Sequence, residues 1–263
     1  MSISDTLLGV PAPIETLAGQ TAVVTGGSRG LGLAIARRLA SAGARLLLVA
    51  RDVEPLVAAA TDLGGERRGI GTLVADVTAQ DAPDRICDWI RSHGDRVDIL
   101  VNNAGATLTK LAWDISDDEW RHVFEVNVHA PFRLSRAVGA MMRAHSAGKI
   151  VNVASVYGVA GERNVLPYVA SKGALVQMTK GLAVEWARDN IQVNAVAPGY
   201  VETDLNAHAL EDDGLRTRIL RRTPARRLGN AAEVAEAVYF LVGPHSDYVT
   251  GHLLAVDGGW LAW

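Results

Sequence analysis

Apolar residues fall along this chain in short, dense runs separated by longer stretches in which they recur every three or four positions. Seven of the runs have strand length and composition: Thr21–Thr25, Arg45–Ala50, Gly71–Ala75, Ile99–Asn102, Lys149–Ala154, Gln192–Ala197 and His252–Val256. Most are apolar throughout and do not alternate with polar residues, so they predict strands covered on both faces. Segments of helical period follow nearly every one, beginning with Leu31–Ala42 after the first strand. Strand and helix in regular succession predict an α/β fold: a single-domain, doubly wound, Rossmann-type parallel sheet of seven strands with helices on both faces. A ligand site is then expected beyond the carboxyl ends of the strands, near the point where strand order reverses.

Two segments break the rhythm. Residues 1–18 read as an N-terminal arm preceding a catalytic domain over 19–263. The polar stretch Thr203–Arg222 follows the sixth strand and reads either as a substrate lid, in a region spanning about 200–222, or as a surface helix without a catalytic role.

The candidate chemistry lies where the fold expects it. Strand one runs into Thr25-Gly26-Gly27-Ser28-Arg29-Gly30-Leu31-Gly32. Glycines at a strand-to-helix turn let backbone approach a pyrophosphate at the helix N-terminus, where free N–H groups favour anions. Their spacing is Gly-x-x-x-Gly-x-Gly, which differs from the Gly-x-Gly-x-x-Gly dinucleotide fingerprint. Strand two ends Val49-Ala50-Arg51, without the acidic residue that an NAD site places there for the adenosine ribose. Arg29 and Arg51 are suited to clasp a 2′-phosphate, which favours NADP(H) over NAD(H). Both also suit a solvated surface, and Asp52 is a rival ribose partner. Strand three ends in Asp76-Val77, where Asp76 is placed to meet the adenine amino group. Strand four ends in Asn102-Asn103-Ala104-Gly105, which either approaches the cofactor or holds a turn. Pro198-Gly199-Tyr200-Val201-Glu202-Thr203 after strand six is either a nicotinamide-side turn or a plain strand exit.

Proton chemistry is carried by Tyr168-Val-Ala-Ser-Lys172, with Ser155 thirteen residues upstream. On a helix Tyr168 and Lys172 stand one turn apart on one face. An ammonium about 4 Å from a phenolate, at an effective dielectric near 20, is worth roughly 4 kcal/mol. That would bring the phenol from about 10 toward about 7, suited to general acid–base work.

Together these pieces resemble the short-chain dehydrogenase/reductase family, in its branch of roughly 250 residues, over nearly all of 19–259. The motifs that carry the likeness are Thr25–Gly32, Asp76, Asn102–Gly105, Asn127, Ser155, Tyr168, Lys172, Pro198-Gly199 and Asp257-Gly258-Gly259. The resemblance implies that Tyr168 exchanges a proton with the substrate oxygen, Ser155 polarises that oxygen and Lys172 depresses the phenol pKa and holds the nicotinamide ribose. It implies that Asn127 kinks a helix and positions a water. An asparagine inside a helical pattern is otherwise mildly unfavourable. It implies a cofactor site drawn from Gly26, Ser28, Arg29, Gly30, Leu31, Gly32, Arg51, Asp76, Val77, Asn103, Ala104, Gly105, Tyr168, Lys172, Pro198, Gly199, Val201 and Thr203. Hydride passes directly between nicotinamide and substrate carbon, so no metal is implied, and the seven His and single Cys show no ligand spacing. A homotetramer is implied, with Asp257-Gly258-Gly259 near a subunit contact and Trp260 and Trp263 either at an interface or in a neighbouring pocket.

The expected activity is an NADP(H)-dependent oxidoreductase interconverting a ketone and a secondary alcohol on a small-molecule substrate. The 3-oxoacyl-carrier-protein reductases and gluconate-type sugar-acid dehydrogenases are the alternatives within the family. A catalytically idle NADP(H)-binding sensor is the alternative outside it. Length and charge fit this picture: 263 residues with a formal charge of −3 suit one domain and give no global attraction to nucleic acid. No apolar run approaches the ~20 residues that cross a bilayer. Met1–Thr16 has no basic cluster or apolar core of a secretory signal, so a cytoplasmic protein without a membrane partner is expected. Cys87 reads as a buried structural thiol. The basic cluster Arg221-Arg222 and Arg226-Arg227 reads as a solvated or inter-subunit surface, or as an anionic-substrate contact.

Overall fold

The computed structural model describes residues 16–202 and 212–262. Seven parallel strands form one sheet: β1 (Thr21–Thr25), β2 (Arg45–Ala50), β3 (Ile70–Val74), β4 (Ile99–Asn102), β5 (Gly148–Val153), β6 (Ile191–Pro198) and β7 (Leu253–Val256). Their order across the sheet is β3-β2-β1-β4-β5-β6-β7, so the direction of winding reverses between β1 and β4. The helices described are α1 (Gly30–Ser41), α2 (Val53–Asp62), α3 (Ala82–Ser92), α4 (Asp117–Phe124), α5 (Ala130–Ala144), α6 (Leu166–Trp186), α7 (Asp213–Arg222) and α8 (Ala231–Val242).

The apolar strands split their side chains between two cores. Ala22, Val24, Leu46 and Leu48 pack with α1 and α8 residues such as Ile35, Leu39, Val238 and Leu241. Val23, Leu47 and Val49 point the other way and pack with Ile86, Ile90, Leu134 and Val138 of α3 and α5. The period-two pleat therefore feeds both layers from one continuous apolar run. Complete burial of each leucine contributes about 1.5–3 kcal/mol. Helix starts follow local chemistry. Ser116 with Glu119, and Asn230 with Glu233, form capping boxes at α4 and α8, while Pro131 and Pro167 sit in the first turns of α5 and α6.

One boundary expected from the sequence is corrected here. The arm drawn to residue 18 overlaps packed structure: Leu17 is fully buried, its N–H donates to Ala42 O at 2.9 Å, and Thr16 Oγ1 lies 2.5 Å from the Tyr239 hydroxyl. The rest of the expected arm, and residues 203–211 of the expected lid, lie outside the described residues. The remainder of that lid segment is α7, whose N-terminus is capped by the Asp212 carboxylate and which buries Ile219. No helix among the described residues is long and apolar enough to cross a membrane.

Candidate active site

Strand order reverses at β1 and β4, and the candidate residues gather at the carboxyl ends of these strands and of β5. The turn after β1 carries Gly26 and Gly30 at φ +63° and +55°, a left-handed backbone that glycine adopts without strain. At Gly32 the need is close approach: a Cβ there would lie 2.1 Å from Gly26 O and 2.5 Å from Asn103 Nδ2. Arg29 occupies the N-cap of α1 in an extended conformation and offers no side-chain cap. The first amides of α1 thus keep their donor capacity, as an anion cradle requires. Ser28 and Leu31 flank this turn, both partly exposed.

Asn103 is resolved as a fastener between the two strands. Its side chain donates to Thr25 O at 2.9 Å and Gly26 O at 3.2 Å, and the Asn103 and Ala104 amides donate to Thr25 Oγ1. The β4 exit and the glycine turn are therefore one rigid unit.

At the ends of β2 and β3 two arginines stand over two carboxylates. Arg51 Nη1 lies 4.0 Å from Asp76 Oδ2, and Arg29 Nη2 lies 3.9 Å from Asp52 Oδ2, with all four side chains well exposed. Asp52, the rival ribose partner, is thus turned toward Arg29. Partial burial opposes ionisation of Asp76, but hydrogen bonds from the Thr78 N–H and hydroxyl, together with Arg51, outweigh it and hold the carboxyl below its ordinary value. Val77 is buried beneath.

The catalytic candidates converge from β5, α6 and the α4–α5 junction. Ser155 follows β5, is 6% exposed, and lies near enough to the Tyr168 hydroxyl to act on its pKa. Tyr168 and Lys172 share one face of α6, with Lys172 Nζ 5.5 Å from the Tyr168 ring centroid. Between α4 and α5 the chain forms one π-helical turn, Glu125–His129, centred on Asn127. This wide turn is the helix distortion expected at that residue. Asn127 is fully buried; its Oδ1 accepts from the Ala106 N–H, and its Nδ2 donates to Ala106 O and Ser171 Oγ. Gly105 closes the group, since a Cβ on it would sit 3.4 Å from Asn127 Oδ1 and 3.7 Å from Lys172 Nζ.

The electrostatics differ from the sequence expectation. Burial pushes the Tyr168 phenol above its ordinary value, and the nearby Ser155 side chain works against that rise without overcoming it. Lys172 does not bring the phenol toward 7. Its ammonium reaches past the ring and donates to Val153 O at 2.7 Å, and burial lowers Lys172 itself to about 8. Helical spacing places two side chains on one face but does not fix where a long one ends, and desolvation dominates both groups here.

Beyond β6, Pro198 is buried, and Gly199 packs so closely that a Cβ would lie 2.9 Å from Asp257 Cα. Val201 is buried and bridges Gly229; Thr203 lies outside the described residues. Asp257 Oδ1 and Oδ2 accept from the Gly259 and Leu261 amides, tying the terminal turn to itself. Trp260 is 3% exposed within its own chain, edge-on to Tyr157 at 5.5 Å and under the Arg222 guanidinium at 3.8 Å. It is therefore an internal packing residue and does not anchor an interface; Trp263 lies outside the described residues. The basic cluster is partly neutralised, Arg227 by Glu233 and Arg222 by Glu162. Cys87 is buried, and that burial raises its thiol pKa. Sequence reasoning missed Tyr157 and Glu162, whose side chains join Tyr200 and Arg222 beside Ser155.

A glycine-lined turn at an uncapped helix N-terminus, with Ser, Tyr, Lys and Asn side chains gathered at the neighbouring strand ends, defines a Rossmann-type dinucleotide site joined to a proton-transfer site. Sequence comparison agrees with this class. A family model described as enoyl-(acyl carrier protein) reductase matches residues 26–261. The chain is 42% identical over 241 residues to the 3-oxoacyl-[acyl-carrier-protein] reductase of Escherichia coli K12, covering 92% of this chain and 97% of that protein. It is 38% identical over 245 residues to the gluconate 5-dehydrogenase of Gluconobacter oxydans, covering 93% and 95%. Among solved structures, a gluconate 5-dehydrogenase from Burkholderia cenocepacia in complex with NADP and tartrate is 36% identical, with a TM-score of 0.90 over 96% of this chain and 99% of that one. The chain belongs to the short-chain dehydrogenase/reductase family and is an oxidoreductase of that family.

Proposed function

We propose that the protein interconverts a ketone and a secondary alcohol with NADP(H), Tyr168 exchanging the proton with the substrate oxygen. The observation that carries this reading is the placement of Tyr168 and Lys172 on one face of α6, Lys172 Nζ 5.5 Å from the Tyr168 ring centroid, with Ser155 near enough to the phenol to oppose the rise in its pKa. When bound, the nicotinamide cofactor supplies or accepts the hydride. Ser155 then holds and polarises the substrate oxygen, and Tyr168 donates its proton to that oxygen in the reducing direction. Lys172, lowered to about 8, holds a proton that it can yield near neutral pH, which suits it to restore the phenol. Asn127, locked to Ala106 and Ser171, keeps the floor of the site rigid.

Arg29 and Arg51, both exposed at the ends of the carboxylate-facing pairs, hold the 2′-phosphate of NADP(H) by charge-assisted bonds. The bound NADP named for the Burkholderia relative supports this choice. Gly26, Gly30 and Gly32 would admit the pyrophosphate to the α1 amides, and Asp76 would meet the adenine.

The relatives' names point to two substrate classes, sugar acids and 3-oxoacyl thioesters. A panel read by nicotinamide absorbance, containing 5-keto-D-gluconate, cyclic ketones, steroids and acetoacetyl thioesters, separates them. Turnover of none of these ketones by NADPH would leave the idle-sensor alternative standing. A homotetramer is the assembly proposed from the family resemblance, to be read by size-exclusion chromatography with light scattering.

A further inference from the structure

Beside the catalytic candidates runs a second polar chain with no role in the proton transfer proposed above. Tyr157 sits in the turn that starts at Ser155, and its backbone N–H donates to Ser155 Oγ at 3.1 Å. The Tyr157 hydroxyl is anchored by Glu162 Oε2 at 3.1 Å and the Tyr200 hydroxyl at 2.7 Å. Glu162 in turn lies 3.6 Å from Arg222 Nη1, at the last residue of α7, and Arg222 stacks on Trp260. The turn itself has no slack. Gly158 N–H donates to Ser155 O at 2.8 Å, and a Cβ on Gly158 would lie 3.0 Å from Lys172 O. Tyr157 and Ser155 therefore share one tightly packed turn against α6.

We propose that Tyr157 is a positioning residue for Ser155, and that the Glu162–Arg222 ion pair ties α7 to it. The described half of the lid segment and the polarising hydroxyl then shift together. This rests on the reading of Ser155 as the group that polarises the substrate oxygen. Tyr157 need not touch substrate. Its hydroxyl fixes the ring, the ring fixes the turn, and the turn fixes the Ser155 rotamer through the Tyr157 amide. Tyr200 brings the exit of β6 into the same unit. A substrate that packs against α7 would thereby tighten the hydroxyl that polarises its own carbonyl, a coupling that contributes to kcat as well as to KM.

A double-mutant cycle tests this with Tyr157→Phe, Ser155→Ala and the double variant, on the panel ketone that the wild-type protein reduces fastest with NADPH. Tyr157→Phe keeps the ring and deletes only the hydroxyl. The expected result is a kcat about ten-fold lower with NADPH affinity unchanged, and no further loss when Tyr157→Phe is added to Ser155→Ala. Arg222→Ala should lower kcat and raise KM for the ketone together, with Arg222→Lys recovering most of both. Full multiplication of the two single losses would overturn the proposal, as would a Tyr157→Phe protein with wild-type kcat. If Tyr157→Phe does not fold, Glu162→Ala takes its place in the cycle; it removes an anchor of the Tyr157 hydroxyl and the ion pair together, and the same non-additivity is expected. A Ser155→Ala protein of wild-type rate would instead remove the reading of Ser155 on which this rests, which separates the two failures.

Discussion

Replacing Arg51 with alanine separates the phosphate-clamp reading from a surface-charge reading. Its ion pair with Asp76 at 4.0 Å, the one it makes among the described residues, joins side chains 64% and 44% exposed. A pair so solvated is worth about 0–1 kcal/mol, so the variant should fold with a melting temperature close to wild type. A charge-assisted bond to a 2′-phosphate is worth about 1.5–3 kcal/mol. That corresponds to about a 10- to 150-fold weakening of NADPH binding. NADH has no 2′-phosphate, so its affinity should change little, or rise slightly as Asp76 is released. Dissociation constants for both cofactors, from nicotinamide fluorescence on wild type and variant, give the ratio directly. Equal weakening of NADPH and NADH would refute the clamp.

Gly32→Ala places a methyl group 2.1 Å from Gly26 O, a backbone atom of the cofactor turn; the expected loss is about 1–3 kcal/mol, roughly 2–10 °C in Tm for a domain of this size, together with weaker binding of both cofactors. Asn127→Ala strands the Ala106 N–H and C=O and should cost about 1–3 kcal/mol, read by urea unfolding, with a fall in kcat that added substrate does not restore. Lys172, lowered to about 8 by burial, binds fewer protons in the folded than in the unfolded chain between about pH 8 and 10. Stability should therefore rise with pH across that window by on the order of 2–3 kcal/mol. Above pH 10 the raised Tyr168 phenol acts the other way, because the unfolded chain loses that proton first. A Lys172→Met protein that retained the rise between pH 8 and 10 would contradict the assignment to Lys172.

The sheet was legible because its strands are apolar on both faces. Thr21–Thr25, Arg45–Ala50 and Ile99–Asn102 were read with their observed bounds, and the other four differ by one residue at one or both ends. The glycine turn was legible for a similar reason, since Gly32 answers a steric demand that only a missing Cβ meets. Asn127 was legible only through the family resemblance, since an asparagine in a helical pattern otherwise reads as a surface residue, and the π turn accounts for its poor fit to a helix interior. What escaped the sequence depends on where flexible side chains end. The lysine that should have acidified Tyr168 reaches Val153 O instead, and Trp260, which looked like an interface residue, packs under Arg222 of its own chain. Tyr157 and Glu162 were missed because their partners lie up to 60 positions away, at Tyr200 and Arg222, through contacts between loops that no periodicity announces. Leu17 was assigned to an arm because the apolar residues of 1–18, among them Leu7, Leu8, Val10 and Ile14, follow no helix or strand period, although Leu17 fills the core beside Ala42.

Proton transfer by Tyr168 is the central claim, and single-turnover reduction of a panel ketone by the Tyr168→Phe protein, loaded with NADPH, tests it most directly. The substitution keeps the ring and removes only the hydroxyl. The account predicts a rate about 10²- to 10⁴-fold below wild type, with NADPH affinity within a few-fold of it. A Tyr168→Phe protein that oxidised bound NADPH at the wild-type rate would contradict it.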